Sequence, residues 1–412
     1  MVIPEFPQQT HIAWWRVGDA FRGLGWRMRL VSTKRPPASL RVHRLLDDEA
    51  RRTHYLWPPR PRAVLAALAR PAALARGVAY VLGLGESGLG ERLRLLPLVL
   101  CAADLRDLAE REDASAIFVH SCANAAHVAA LCRRMGGPRY ALRLGGDLAV
   151  YGKDHRSKMA GADFVLSASP TYFDELERDV GVEHARLRWS WVGTDLSRCA
   201  PGDDWPAPAD PARLEIVSVA RLNPPKGHAD VLRALARLRD EGVDARYTLV
   251  GAGPHEAAIR ASIEELGLGD RVVLAGSKDA AEVVRALQGS DVLVLASFGA
   301  GEAAPAVVCE AMACGLPVIC TRIGATALMV RDGVDGVLVD QRDVGAIAAA
   351  LRRLAAEPET LAAMKRAAHE RSVAFDVRRT AEGILDAFGL ARPGEPASDP
   401  DRSPAREPAR LS

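Results

Sequence analysis

The chain has 412 residues, 49% hydrophobic and 26% charged, a composition that excludes wholesale disorder and supplies core enough for two ordinary domains. Its 54 lysines and arginines stand against 52 acids, and a net charge of +2 is too even for a basic nucleic-acid binder. Seven scattered cysteines without a C-x-x-C pair argue against a disulfide framework or zinc knuckle and fit a reducing cytoplasm.

Residues 1–10 lack the charged and apolar regions of a signal peptide. The richest apolar stretch, 63–85, is cut by Arg70, Pro71 and Arg76 before it could span a bilayer. The expected location is therefore the cytoplasm, with peripheral attachment to the inner face of the plasma membrane as an option. Strands are expected at 1–4, 26–32, 116–120, 139–144, 163–168 and 187–192, and helices at 12–24, 124–135 and 170–179. A mostly helical, basic insertion fills 51–105. The proline-rich PGDDWPAPADP (201–211) reads as a linker.

From Leu214 the rhythm is cleaner. LEIVSVA (214–220), YTLVGAG (247–253), RVVLAG (271–276), DVLVLAS (291–297) and LPVIC (316–320) alternate with helical patterns at 227–241, 254–266, 279–288 and 305–314. Short apolar runs separated by helices of this length predict a doubly wound parallel sheet, whose ligands bind beyond the carboxyl ends of the strands. A last amphipathic helix is expected over 372–388, and the tail from 391, rich in proline and without aromatics, is expected to be disordered.

Three features of this half converge on a diphosphate. VARLNPPKGH (219–228) places Arg221 and Lys226 in the loop between a strand and a helix, where two cations can neutralise a diphosphate without a metal. Glu302 and Glu310 are spaced E-x7-E, the first before a helix that Pro305 opens, the second inside it; they suit two parts of an elongated ligand. The helix start also offers N–H groups to a phosphate. LVGAGP (249–254) ends a strand on Gly251 and Gly253, but Glu256 breaks a dinucleotide fingerprint, so NAD or FAD is not expected. These glycines are read as giving close backbone approach beside a nucleotide.

RLNPPKG, VGAGP, VVLAG and EAAPAVVCEAMACGLPVI, followed by RDGVDGVLV (331–339), resemble the carboxyl-terminal half of retaining GT-B glycosyltransferases with the E-x7-E motif. IPEFPQQTHIAWWRVGDAF, FVHSCANAAHVAAL, LRLGGDLAVYGK and WVGTDLSRCAPG resemble the amino-terminal half of a bacterial exopolysaccharide (colanic-acid type) subgroup. The resemblance implies an α/β chain of two Rossmann-like, doubly wound domains facing across a cleft. These would be an acceptor-side domain over 1–203 and a donor-binding domain over 212–372, with a helix crossing back over 373–390. It implies a metal-independent hexosyltransferase that takes a nucleotide-diphosphate sugar and a glycan or lipid-linked glycan acceptor, with no bound cofactor.

By the same resemblance Arg221 and Lys226 grip the diphosphate, Glu302 contacts the donor sugar and Glu310 the ribose. Ala303, Ala304 and Pro305 complete the donor contacts, and Gly276 and Ser277 flank the base. The subgroup usually has His at Gly145, Gly at Ala303 and often Glu at Leu328, which thins the sugar contacts here. Gly145 also motivates another reading, a non-catalytic nucleotide-sugar-binding or assembly subunit; a nucleotide-sugar epimerase on the same fold is a third.

His11, His120, Gly145 and Asp147 are further cleft candidates, whereas His127, Tyr151 and Cys309, Cys314 and Cys320 read as packing residues. No metal-ligand cluster is visible, and the one D-x-D, Asp399 and Asp401, lies in the tail. Residues 1–100 carry a net charge of +9, and 51–85 hold six arginines and no acid. That basic amphipathic stretch predicts either a solvated face or docking on an anionic membrane surface.

Overall fold

The computed structural model describes residues 1–7, 12–37, 45–146, 148–191, 193–208, 210, 212–299, 302 and 304–390. The described residues form two compact units, one from 1–190 together with 377–390, the other from 191–376.

In the first unit, strands β1 (Val31–Lys34) and β2 (His54–Trp57) pair in parallel. Strands β3 (Ala116–His120), β4 (Arg139–Leu144), β5 (Val165–Ser167) and β6 (Leu187–Trp189) form a second parallel set. Val2 bridges Val31 on one side and Val119 on the other, so the spatial order runs β2, β1, Val2, β3, β4, β5, β6. The order reverses between Val2 and β3, the doubly wound pattern. Ile117, Val119, Ala141, Leu142 and Val165 are all buried, as a sheet covered on both faces requires. Helices Ile12–Gly23 and Val377–Ala387 pack on one another, as do Leu98–Arg111 and Asn124–Arg134.

Three expectations need correcting here. The expected strand 1–4 pairs only at Val2, and 26–32 pairs only from Val31, where the Val31 amide donates to the Met1 carbonyl and the His54 amide to that of Leu30. Residues 51–105 are mostly helical, as expected, although HYLW (54–57) among them is the edge strand β2. The span 170–179 is a succession of short turns of differing pitch, Pro170–Tyr172, Phe173–Glu175 and Leu176–Val180, instead of one regular helix.

The second unit holds β7 (Leu214–Val219), β8 (Ala245–Val250), β9 (Val272–Gly276), β10 (Val292–Leu295), β11 (Val318–Thr321) and β12 (Gly336–Val339). Their order is β12, β11, β10, β7, β8, β9, all parallel, and the reversal falls between β7 and β10. Asp279 caps the helix Ala280–Gln288, accepting from the Glu282 amide at 2.8 Å while Glu282 accepts from Asp279 at 3.0 Å.

The described residues of the proline-rich stretch, 201–208 and 210, lie inside this unit instead of between two domains. Trp205 Nε1 donates to the Gly315 carbonyl at 3.2 Å, and Lys365 Nζ donates to the carbonyl of Ala207 at 2.9 Å. Lys365 also pairs with Asp291 at 2.8 Å, both side chains buried, at the start of β10.

Candidate functional site

The reversal between β7 and β10 is where a doubly wound sheet opens a crevice, because the connections leaving those strands part to opposite faces. β7 leads through Ala220 and Arg221 to the short turn Pro224–Lys226, and Gly227 then starts the helix His228–Asp240 in the left-handed region (φ +70°). A Cβ at Gly227 would lie 1.9 Å from the carbonyl oxygen of Ala296. The glycine therefore lets this turn seat directly on the end of β10.

That close seating unites two distant parts of the sequence. Lys226 Nζ donates to Glu302 Oε2 in an ion pair, with side-chain exposures of 21% and 13%. The same oxygen accepts from Ser297 Oγ at 3.0 Å. Thr321, ending β11, donates to the Ser297 carbonyl at 2.5 Å. The carboxylate is thus held at the strand ends by one cation and one hydroxyl, both partly or wholly withdrawn from water.

Beneath the crevice runs a buried polar chain. His228 Nε2 meets the Arg221 carbonyl at 3.2 Å, its Nδ1 lies 3.4 Å from the Tyr247 hydroxyl, Tyr247 donates to Ser218 Oγ at 2.8 Å, and Ser218 donates to the Val294 carbonyl at 2.5 Å. Burial lowers the pKa of His228, so the ring stays neutral at physiological pH. The chain ties β7, β8 and β10 together and fixes the backbone of the Arg221 loop.

Arg221 itself is exposed at the crevice edge. Gly251 and Gly253 approach protein backbone: a Cβ at Gly251 would meet the Ala220 carbonyl at 1.9 Å, and one at Gly253 the Leu222 carbonyl at 2.3 Å. Their lack of a side chain lets the loop after β8 lie against the loop after β7. The Gly251 amide donates to the Gly276 carbonyl at 2.8 Å, and Ser277 beyond it is exposed. Pro305 is the buried N-cap of Ala306–Ala313, Ala304 precedes it, and Glu310 is the fifth residue of that helix, half-buried. Ala303 lies outside the described residues.

In the first unit His120 ends β3 and stacks on Trp14, ring centroids 3.8 Å apart at 20°. Gly145 follows β4, with the Tyr151 hydroxyl 3.2 Å from where a Cβ would be. His11 and Asp147 lie outside the described residues. His127 is buried on Asn124–Arg134 with Nδ1 2.9 Å from the Tyr80 hydroxyl, and burial lowers its pKa to about 3, the behaviour of a packing residue.

Sequence reasoning missed Ser297, Ser218, His228 and Tyr247. Only the position of Ser297, just past an apolar run, could have signalled it. It also missed the partners of the basic insertion. Arg70 forms a two-pronged pair with Glu110 at 2.6 and 3.0 Å, Arg62 lies 3.8 Å from Asp107, and Arg76 donates to the Arg134 carbonyl. Among the described residues no three His, Cys, Asp or Glu side chains gather as a metal would need. Nor is any single helix there long and apolar enough to cross a membrane.

Residues 203–371 match the family described as Glycosyl transferases group 1. The chain is 33% identical over 210 residues to a putative colanic acid biosynthesis glycosyltransferase, WcaL, of Escherichia coli, covering 50% of each protein. It is 32% identical over 245 residues to a D-inositol 3-phosphate glycosyltransferase of Rhodococcus jostii, covering 57% of this chain and 54% of that one. The chain thus spans about half the length of the curated relatives it matches. Among solved structures, Anabaena HepE in complex with UDP superposes with a TM-score of 0.72 at 17% identity, over 94% of this chain and 98% of that one. A Rickettsia africae glycosyltransferase does so with a TM-score of 0.70 at 14% identity, over 94% and 96%. The fold is therefore the GT-B fold of glycosyltransferases, and residues 203–371 are similar in sequence to the group 1 glycosyl transferases.

Proposed function

We propose that this protein is a metal-independent, retaining glycosyltransferase that moves a hexose from a nucleotide-diphosphate sugar to a growing glycan, a lipid-linked exopolysaccharide intermediate. The observation that carries the reading is the meeting of Lys226, Glu302 and Ser297 at the reversal of the second unit's sheet. A cation beside a carboxylate at that position suits a ligand with a diphosphate at one end and a hydroxylated ring at the other. Before substrate arrives each group occupies the other. The incoming diphosphate takes Lys226, with Arg221 at the crevice edge, and sugar hydroxyls take the Glu302 carboxylate.

In the transfer the bond from the anomeric carbon to the diphosphate oxygen breaks. A bond from that carbon to the acceptor oxygen forms on the same face, and the acceptor's proton passes to the departing phosphate. Lys226 and Arg221 stabilise the charge growing on the leaving group, an interaction stronger in the transition state than before it. Solved structures of similar fold in complex with UDP and with UDP-glucose support a uridine-diphosphate sugar as the first donor to try.

Membrane docking belongs to the same proposal. With Arg70 and Arg62 facing acids, attachment rests on exposed leucines: Leu65 is 67% and Leu68 61% exposed, with Arg60 just before their helix. Purified protein incubated with a panel of nucleotide sugars, with and without a chelator, tests the activity. Slow donor hydrolysis unaffected by chelator supports the transferase. Isomerisation of the sugar indicates the epimerase, and binding without turnover the assembly subunit.

A further inference from the structure

Strand β4 reads R-Y-A-L-R-L, and its alternation sends Tyr140, Leu142 and Leu144 into the hydrophobic core of the first unit. Arg143 points to the other face from a strand with neighbours on both sides, and it is completely buried. Its Nε, Nη1 and Nη2 are closed to solvent, and none has a hydrogen-bond partner among the described residues. The guanidinium carbon sits 4.1 Å above the ring of Trp14, in the first turn of Ile12–Gly23, and Trp14 in turn stacks on His120, the register partner of Arg143 across β3 and β4.

An unpaired charge withdrawn from water is costly, and a cation–π contact offsets only part of that cost. Burial pulls the Arg143 pKa down to about 9, yet the group stays charged at neutral pH. The fold thus maintains a cation with open donors at the carboxyl ends of its strands, beside the reversal between Val2 and β3. Doubly wound sheets take their ligands at this end of the strands.

We propose that Arg143 anchors an oxyanion subsite in the first unit, taking the carboxylate or phosphate of an acidic sugar. Its planar fork matches two oxygens of either group, and Trp14, backed by His120, holds the guanidinium plane in place. Taking that sugar to be the acceptor rests on the transferase reading; anion capture does not. Because the nitrogens are closed off in the free chain, entry requires local opening, which hydrogen exchange reads directly.

The test follows exchange in full-length protein with glucuronate, glucose 1-phosphate or glucose, at matched ionic strength. One or both anions slow exchange in peptides covering 116–124 and 139–146 at least tenfold, and glucose does not. Glucuronate acting alone assigns a carboxylate ligand, and glucose 1-phosphate acting alone a phosphate. Arg143→Met, which removes the buried charge at similar volume, melts no lower than the parent and loses the protection. Equal effects of the anions and glucose, or protection surviving in Arg143→Met, overturn the assignment. If the variant fails to fold, the wild-type comparison alone decides. A failure of the transferase reading shows separately, as absent protection by UDP at 219–228 and 297–310.

Discussion

Replacing Gly227 by alanine strikes the point where the Lys226 turn rests on β10. The new Cβ would lie 1.9 Å from the Ala296 carbonyl oxygen and 2.6 Å from its carbon, both backbone atoms that no rotamer can move. Contact near 3.0 Å is already intolerable, so the turn must lift by about 1 Å. The left-handed backbone at φ +70° adds about 1–2 kcal/mol for any side chain, and forced repacking about 1–3, for a total of about 2–5 kcal/mol.

Gly242 is the internal control. It is also left-handed, at φ +79°, but nothing lies within 4 Å of its absent Cβ. Gly242→Ala should cost only the backbone term, about 1–2 kcal/mol. Urea midpoints at constant m-value give both stabilities, and calorimetry with UDP gives the functional effect. Gly227→Ala should also weaken UDP at least tenfold, because lifting the turn separates Lys226 from Glu302 and Ser297; Gly242→Ala should leave UDP binding unchanged. Equal costs for the two variants, or a destabilised Gly227→Ala with parental UDP affinity, would refute the reasoning.

Lys226→Ala and Glu302→Gln each lower donor turnover at least tenfold in a UDP-release assay; near-parental rates in both refute the site. His127, whose folded pKa burial lowers to about 3, binds a proton on unfolding between about pH 3 and 6.5. Its contribution to stability is therefore present above about 6.5 and lost as pH falls, by about 1.4 kcal/mol per unit within that window. His127→Gln should flatten the pH dependence of the urea midpoint between pH 6 and 5, and an unchanged slope contradicts this origin. Lys365→Met strands the buried Asp291 carboxylate and should cost about 3–5 kcal/mol, read from thermal or urea unfolding; a loss under 1 kcal/mol dismisses the pair as a structural tie. Leu65→Ser with Leu68→Ser should reduce co-sedimentation with anionic vesicles several-fold, and the charge reversals Arg60→Glu, Arg62→Glu, Arg70→Glu and Arg76→Glu should do so too; unchanged lipid binding in both sets removes the membrane from the account.

The second unit was the more legible because each of its strands is a short apolar run bounded by turn residues. β7 and β9–β11 consequently end within two residues of the expected spans. Lys226 and Glu302 were legible as chemistry, through a cation after one strand and a carboxylate before a helix. Their direct pairing was not, since it depends on Gly227 packing against Ala296. β2 escaped notice because four residues between Thr53 and Pro58 become a strand only when β1 supplies a partner. The acids opposite Arg62 and Arg70 come from positions 107 and 110, well beyond any local charge pattern. Arg143 sits in a strand whose alternation was visible, but nothing local distinguishes an arginine facing water from one sealed beneath a tryptophan.

The most direct test of the central claim is calorimetric titration of UDP into the parent, Lys226→Ala and Lys153→Ala, the last a surface lysine of the first unit paired with Glu91. The account predicts binding by the parent and by Lys153→Ala with the same affinity, and at least tenfold weaker binding by Lys226→Ala. Equal affinity in all three, or no UDP binding by the parent, would contradict it.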